Sequence, residues 1–415
     1  MALSGFRAAL SRAMPDPAAA LHRLQPGDLR AGEPLPFDLY DGSGRRLLQA
    51  GAVIADEAQL EQMLGRGLHC DTERFAALSA AASASGQPTM QPPRVSKVQP
   101  WRRLHTLRDT LESALPTIAA ADTAAPAALG AVRLAGAELQ RLCALDPDAM
   151  LAVPLLIDGG RYGTRHGIAA AVLVEFMLAR LDASAIERRS AVLAALTMNV
   201  GMLELQEALY SHQGGLSQAQ RDAVIAHPRL GVARLRAAGV DDPLWLTTVG
   251  QHHEHHDGTG YPVGLAGPAL ALPSQALMIA DRWCAMVAAR AYRRGAPPDQ
   301  ALQLLLGRLG QQADPRLGRM LSEVVGPTPP GTPVRLASGE HGLVFRRTGD
   351  PAAPLVLAFR SAIGIPHPEG VRRTTSEPRL RIESCVRLEE LGCPIDPASI
   401  WEAAEVRETD PTAPG

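Results

Sequence analysis

The stretch GQHHEHHDGTGYP, Gly250 to Pro262, decides how the chain is read. Thirteen residues hold four of the chain's twelve histidines, two acids and a Gly-Tyr-Pro turn. Imidazoles and carboxylates in that density are donors for divalent iron, manganese or zinc. Adjacent histidines near a helix end, here His252 and His253, can both reach one cluster if that end is distorted. Outside the stretch, His166, His227 and Asp281 (in MIADRW) are the positions that could join them in one pocket. Each has a plainer reading beside the metal one: His227, before Pro228, also fits a helix cap or a satisfied core histidine. His255 and His256 read as a solvated flank.

Around this stretch the pattern is helical. From about 102 to 325, segments such as LHTLRDTLESAL, GIAAAVLVEFMLARL, AVLAALTMNVGMLELQEAL and ALMIADRWCAMVAARAYR carry apolar residues at three-to-four spacing, punctuated by Gly, Pro and Asp. Several are apolar on more than one side, as buried helices of a sizeable bundle are. The fold expected is mainly α: a helical bundle with a small N-terminal α/β module and a β-rich C-terminal extension. The module covers 1–70. EPLPFDLYDGSGRRLLQAGAVI reads as a hairpin about Gly42-Ser43-Gly44, followed by a helix capped by Asp56 and running to about Gly65, with Leu60 and Leu64 on one face. Residues 71–101, rich in Ala, Ser, Pro and Gln, read as a linker. Residues 326–402 read as a β-rich extension, alternating and turning as strands do after GPTPPGTP, near 333–390, and 403–415 read as a frayed tail.

Composition narrows the classes. The chain has 415 residues, 46% hydrophobic and 20% charged, with a net charge of −2, which gives no bulk attraction to nucleic acid or an anionic membrane. The only lysine is Lys97, so arginine must make any other cationic contact. Five scattered cysteines form no CxxC pair and suit a reducing compartment. No apolar run reaches the ~18–20 residues that span a bilayer. The mildly amphipathic start MALSGFRAALSRAM lacks the long apolar stretch and cleavage region of a secretory signal. A cytoplasmic protein is expected.

The order of these pieces resembles the HD-GYP family of bacterial cyclic di-GMP phosphodiesterases, over roughly 120–325. HHEHHDGTGYP matches the family signature HHExxDGxGYP at His252, His253, Glu254, Asp257, Gly258, Gly260, Tyr261 and Pro262. RYGTRHGIAA is similar to the segment bearing the family's first histidine ligand, which implies that role for His166. AHPRLG places His227, and IADRWCAMVAARAYRR places the last aspartate ligand at Asp281. The resemblance further implies phosphate contacts at Arg290 and Arg293, suited to guanidinium. It also implies substrate positioning and docking of diguanylate cyclase (GGDEF) partners by Gly260, Tyr261 and Pro262. A homodimer is compatible with this.

The likeness breaks at the His-Asp dyad. Where the family reads approximately L-H-D-I-G-K, this chain reads TMNVGM: Met198 replaces the histidine, Asn199 the aspartate and Met202 the lysine. Tyr162 stands where some members place an additional glutamate ligand. In the family the aspartate bridges two metals. Asparagine is neutral, and a soft thioether suits neither iron(II) nor manganese. The resemblance therefore implies a degenerate member that binds nucleotide or partner with weak or no hydrolysis. Two alternatives stay open: an active enzyme with a rebuilt one-metal site, and a scaffold binding neither metal nor nucleotide.

Overall fold

In the computed structural model, the described residues are 21–24, 28–29, 35, 37–42, 44–52, 54, 57–72, 99–121, 124–289 and 295–404. The expected cap Asp56, most of the linker, the phosphate contacts Arg290 and Arg293, the amphipathic start and residues 405–415 lie outside them. The chain forms two units, 1–98 and 99–415.

In the first unit, strands β1 (Leu21–Arg23), β2 (Leu39–Tyr40) and β3 (Arg46–Leu48), helix α1 (Glu57–Gly65) and strand β4 (His69–Asp71) make a small α/β fold. The antiparallel sheet runs β1-β4-β2-β3. The hairpin lies where Gly42–Gly44 predicts it, with Leu39 opposite Leu48, and Gly44 adopts φ +81°, a conformation that glycine reaches without steric cost. Phe37, Leu39, Ile54, Leu60, Leu68 and Cys70 close its core.

The second unit is a helical bundle carrying a sheet. Its helices are α2 (Pro100–Ala119), α3 (Ala125–Leu145), α4 (Pro147–Leu151), α5 (Val153–Leu156), α6 (Tyr162–Arg180), α7 (Ala185–Thr197), α8 (Leu203–Ser211), α9 (Gln218–Ala237), α10 (Pro243–Gln251), α11 (Leu272–Val287), α12 (Pro298–Leu309) and α13 (Pro315–Val325). Helix α6 is buried along most of its length, from Tyr162 to Leu178, as its all-round apolar sequence requires. Ser184 with Glu187, and Ser217 with Gln220, form reciprocal caps that start α7 and α9. Asp242 caps α10 through the Leu244 and Trp245 amides. It also accepts from Ser190 Oγ at 2.6 Å, and Trp245 Nε1 donates to Thr197 Oγ1 at 2.8 Å. These two bonds lock α10 onto α7, the second at Thr197, the first residue of the TMNVGM segment.

Strands β5 (Pro333–Leu336), β6 (His341–Arg346), β7 (Leu355–Arg360), β8 (Pro366–Thr374) and β9 (Ile382–Cys385) form an antiparallel sheet ordered β8-β7-β6-β5-β9, followed by α14 (Pro397–Ala404). Val334, Leu336, Val344 and Val356 pack its core. The sheet is tied to the bundle. Arg346 pairs with Asp146, Arg347 Nε donates to Asp148 Oδ1 at 2.5 Å, and Trp401 packs on Trp101 with ring centroids 5.8 Å apart. Among the described residues no helix is long and apolar enough to cross a membrane.

Candidate metal centre and its loop

The centre begins with a proline inside a helix. Pro228 in α9 has no N–H, so the Val224 carbonyl four residues earlier lacks its usual helical partner. His227 takes that place: its Nδ1 lies 2.5 Å from Val224 O. His252, at the C-terminal end of α10, repeats the arrangement with Nδ1 2.7 Å from Val249 O. A carbonyl only accepts, so Nδ1 carries the proton in both rings and each Nε2 presents a lone pair. Those two Nε2 atoms lie 3.2 Å apart. Two lone pairs at that separation repel unless a cation lies between them. Donors held about 2.1 Å from one metal sit about 3.0 Å apart at a right angle and about 3.4 Å apart at the tetrahedral angle. The observed spacing falls between these values.

His253 completes the group. Ligand atoms of His227, His252 and His253 all lie within 4.8 Å of one another, the one such group among the described residues. The His253 ring lies between His252, tilted by 40° at 4.1 Å, and Tyr261, stacked at 4.7 Å. Burial lowers the pKa of all three. His227 is pushed down to about 3, by burial first and then by neighbouring His252, and His253 lies well below its ordinary value. The rings are therefore neutral at neutral pH, the form that binds metal.

His166 and Asp281 come together beside this group rather than in it. His166, on α6, donates from Nε2 to Asp281 Oδ1, on α11, at 2.6 Å. Burial opposes the Asp281 charge, yet the His166 bond and the surrounding imidazoles outweigh it and hold the carboxyl well below the usual range. Its charge in turn acts on His227, His252 and His253. Tyr162 stacks on His166 at 5.3 Å and supplies no carboxylate.

The dyad segment lies against the ligand helix. A β-carbon on Gly201 would sit 2.2 Å from the His227 carbonyl oxygen and 2.8 Å from the Gly231 nitrogen, so only glycine permits the contact. Met198 ends α7 fully buried, and Met202 begins α8 half-buried. Asn199 is buried too, and its Oδ1 has no hydrogen-bond partner among the described residues, a costly state for an amide oxygen away from water. Three neutral imidazoles whose ligand nitrogens all lie within 4.8 Å of one another could hold one metal ion.

The Gly-Tyr-Pro loop is built on Glu254. Its buried carboxylate accepts from the amides of Val263 (2.7 Å), Gly264 (2.9 Å) and Leu265 (3.0 Å). At Gly260 a β-carbon would lie 2.4 Å from the His255 nitrogen, which fixes that residue as glycine. The Tyr261–Pro262 bond is cis, and Arg229 donates to the Pro262 carbonyl at 3.1 Å. His255 and His256 correct one expectation. They are no solvated flank: His255 bonds Thr259 and Arg282, and the His256 amide donates to Gln312 O at 2.8 Å. Both are half-buried ties of the loop. The His-Pro pair that frees a helical carbonyl was present in AHPRLG as a signal for the His227 orientation. Nothing in sequence singled out Tyr210.

A cavity of about 730 Å³ opens against His166 and Tyr162 and is closed partly by residues 385–390 of the C-terminal extension.

A family model described as HD domain matches residues 153–317. The chain is similar to cyclic di-GMP phosphodiesterase PA4108 of Pseudomonas aeruginosa, 28% identical over 53% of this chain and 54% of the relative. It is 31% identical to the cyclic di-GMP phosphodiesterase response regulator RpfG of Xanthomonas campestris, over 33% of this chain and 36% of the relative. It is 32% identical to 3'3'-cGAMP-specific phosphodiesterase 3 of Vibrio cholerae, over 37% of this chain and 33% of the relative. The chain thus spans about half, or less, of the length of these relatives. Among solved structures, an HDG"Y"P protein from Bdellovibrio bacteriovorus aligns with TM-score 0.48 at 15% identity, covering 73% of this chain and 99% of that one.

Proposed function

We propose, for a chain that belongs to the HD-GYP family of HD-domain proteins, that it acts in cyclic di-GMP signalling by binding the nucleotide, with weak or no hydrolysis. The observation that carries this reading is the pairing of an intact three-histidine group with a dyad position that holds Met198 and Asn199. His227, His252 and His253 would hold one divalent metal, iron, manganese or zinc, with Asn199 or water as the completing donor. A bound metal supplies Lewis-acid polarisation of a phosphoryl oxygen and acidifies water.

The chain's own groups account for the limit on turnover. Asn199 brings no anion to screen a second ion from the first, and Met198 brings no nitrogen donor. Asp281 is engaged by the His166 Nε2–H, so its charge is spent on holding that proton. No lysine stands at 202 to meet a phosphate. What remains is a pocket that orients a phosphodiester. The Glu254-anchored loop keeps Tyr261 against His253. The same loop carries Val263 to the surface, 61% exposed, where a diguanylate cyclase partner would dock. A cytoplasmic site of action belongs to the same proposal.

The test is anaerobic purification, metal analysis, titration with cyclic di-GMP and chromatography of the products. Bound metal with micromolar nucleotide affinity and no linear or mononucleotide product is expected. Turnover that disappears in His252→Ala and His253→Ala favours the one-metal enzyme instead.

A further inference from the structure

We propose that the cavity against His166 is a purine-nucleotide subsite built jointly by the bundle and the C-terminal extension, in which Tyr210 stacks a base and Arg387 meets a phosphate. It rests on the reading of the chain as a cyclic dinucleotide binder.

The volume, about 730 Å³, lies within the roughly 300–1,000 Å³ range of small-molecule sites. One wall is a column of rings. Tyr162 stacks on His166 with centroids 5.3 Å apart and 21° between planes, and on Tyr210 at 4.9 Å and 24°. Tyr210 ends the column half-buried and lines the cavity. The Arg165 guanidinium lies over that ring, 6.0 Å from its centroid, so a base that takes up the ring does so against or in place of this guanidinium. Arg165 is itself held by the Gly159 and Gly160 carbonyls at 2.8 and 2.7 Å. Every purine has a flat π-face, and an aromatic platform beside a guanidinium is the surface such a face takes up.

Another wall is the turn after β9. Cys385 pairs in register with Val334 of β5, and the sheet behind them is tied to the bundle through Arg346–Asp146 and Arg347–Asp148. Where the wall adjoins α4 and α5, a β-carbon on Gly331 would lie 3.1 Å from Ala152, so the two meet closely. Glu390 accepts from the Arg387 amide at 2.9 Å and fixes the turn that carries Arg387 to the cavity. Asp158 and Glu389 reach the same space. A ligand with base N–H donors as well as a phosphate satisfies such a mixture; a bare phosphate does not. The HD-domain match ends at 317, so this second wall is an addition to the matched fold.

The test uses the full metal-loaded chain, calorimetric titration with cyclic di-GMP, and metal content measured in parallel. Tyr210→Ala is expected to weaken binding about fivefold to a hundredfold, the range for losing one base stack. Tyr210→Phe keeps the ring and should stay within about twofold. Arg387→Ala should weaken binding about tenfold or more, as loss of a charged phosphate contact does. All three are expected to keep the wild-type metal content. Should Tyr210→Ala fail to fold, Tyr210→Leu fills the space without a π-face and is expected to weaken binding equally. Wild-type affinity in the Tyr210 and Arg387 variants, with loss only in His252→Ala and His253→Ala, overturns the subsite and leaves the metal reading standing. Absence of cyclic di-GMP binding by the wild-type chain overturns both.

Discussion

Pro228 and His227 together make the smallest unit of the account, because the ring can be oriented only where a helical carbonyl has been left without its amide. Pro228→Ala restores an N–H that competes for Val224 O. Metal affinity should fall about 10–100-fold, the usual cost of losing the group that orients a ligand histidine, while the helix itself gains. A zinc titration monitored by competition with a chelating dye checks it. Protonation acts on the same atoms. His227 has an ordinary pKa of 6.5 and a folded one of about 3, so below pH 6.5 the unfolded chain binds a proton that the folded metal-free chain refuses. Its contribution to stability is full above 6.5 and is lost progressively as pH falls towards 3, by up to about 1.4 kcal/mol per pH unit. His252 and His253 shift in the same direction and steepen the loss. Melting temperatures of the metal-free chain from pH 7.5 to 5 should therefore fall, and less so in His227→Gln.

The Gly-Tyr-Pro loop shows at the scale of an element how one carboxylate holds a backbone in place. Glu254→Gln keeps the shape but removes the charge from three amide bonds and turns a donor towards amides that need an acceptor. A loss of about 1–3 kcal/mol is expected by denaturant unfolding, with weaker nucleotide binding, since Tyr261 then loses its seat beside His253. Much of this element was legible. The signature fixed His252, His253, the turn and the glycines, and the periodicity of LVEFMLARL and its neighbours placed the bundle around them. The roles of Glu254, His255 and His256 were not, because residues that tie a loop to itself and residues that face water share a composition. Only the positions of the Val263–Leu265 amides, Thr259, Arg282 and Gln312 separate the two. The β-rich character of the extension was readable from alternation in VRLASGEHGLVFRR and LVLAF, though not its strand count, and the hairpin was readable from the apolar runs about Gly42–Gly44.

For the unit 99–415 as a whole, the sheet and the bundle behave as one body because of long-range pairs that no local pattern reveals. Arg346 and Asp146 stand 200 residues apart. Arg346→Ala leaves a half-buried Asp146 without its cation and should cost about 1–3 kcal/mol in thermal unfolding. It should also loosen the cavity wall, raising the dissociation constant for cyclic di-GMP while metal content is unchanged. The cavity itself was invisible in sequence for the same reason: its lining is drawn from α6, α8, α11 and the turn after β9. The central claim, one metal and recognition without efficient cutting, is settled most directly by metal stoichiometry and product analysis on the same anaerobic sample. One equivalent of metal per chain, with cyclic di-GMP bound and recovered intact, is the predicted result. Two equivalents per chain, with turnover lost in His252→Ala, would contradict it.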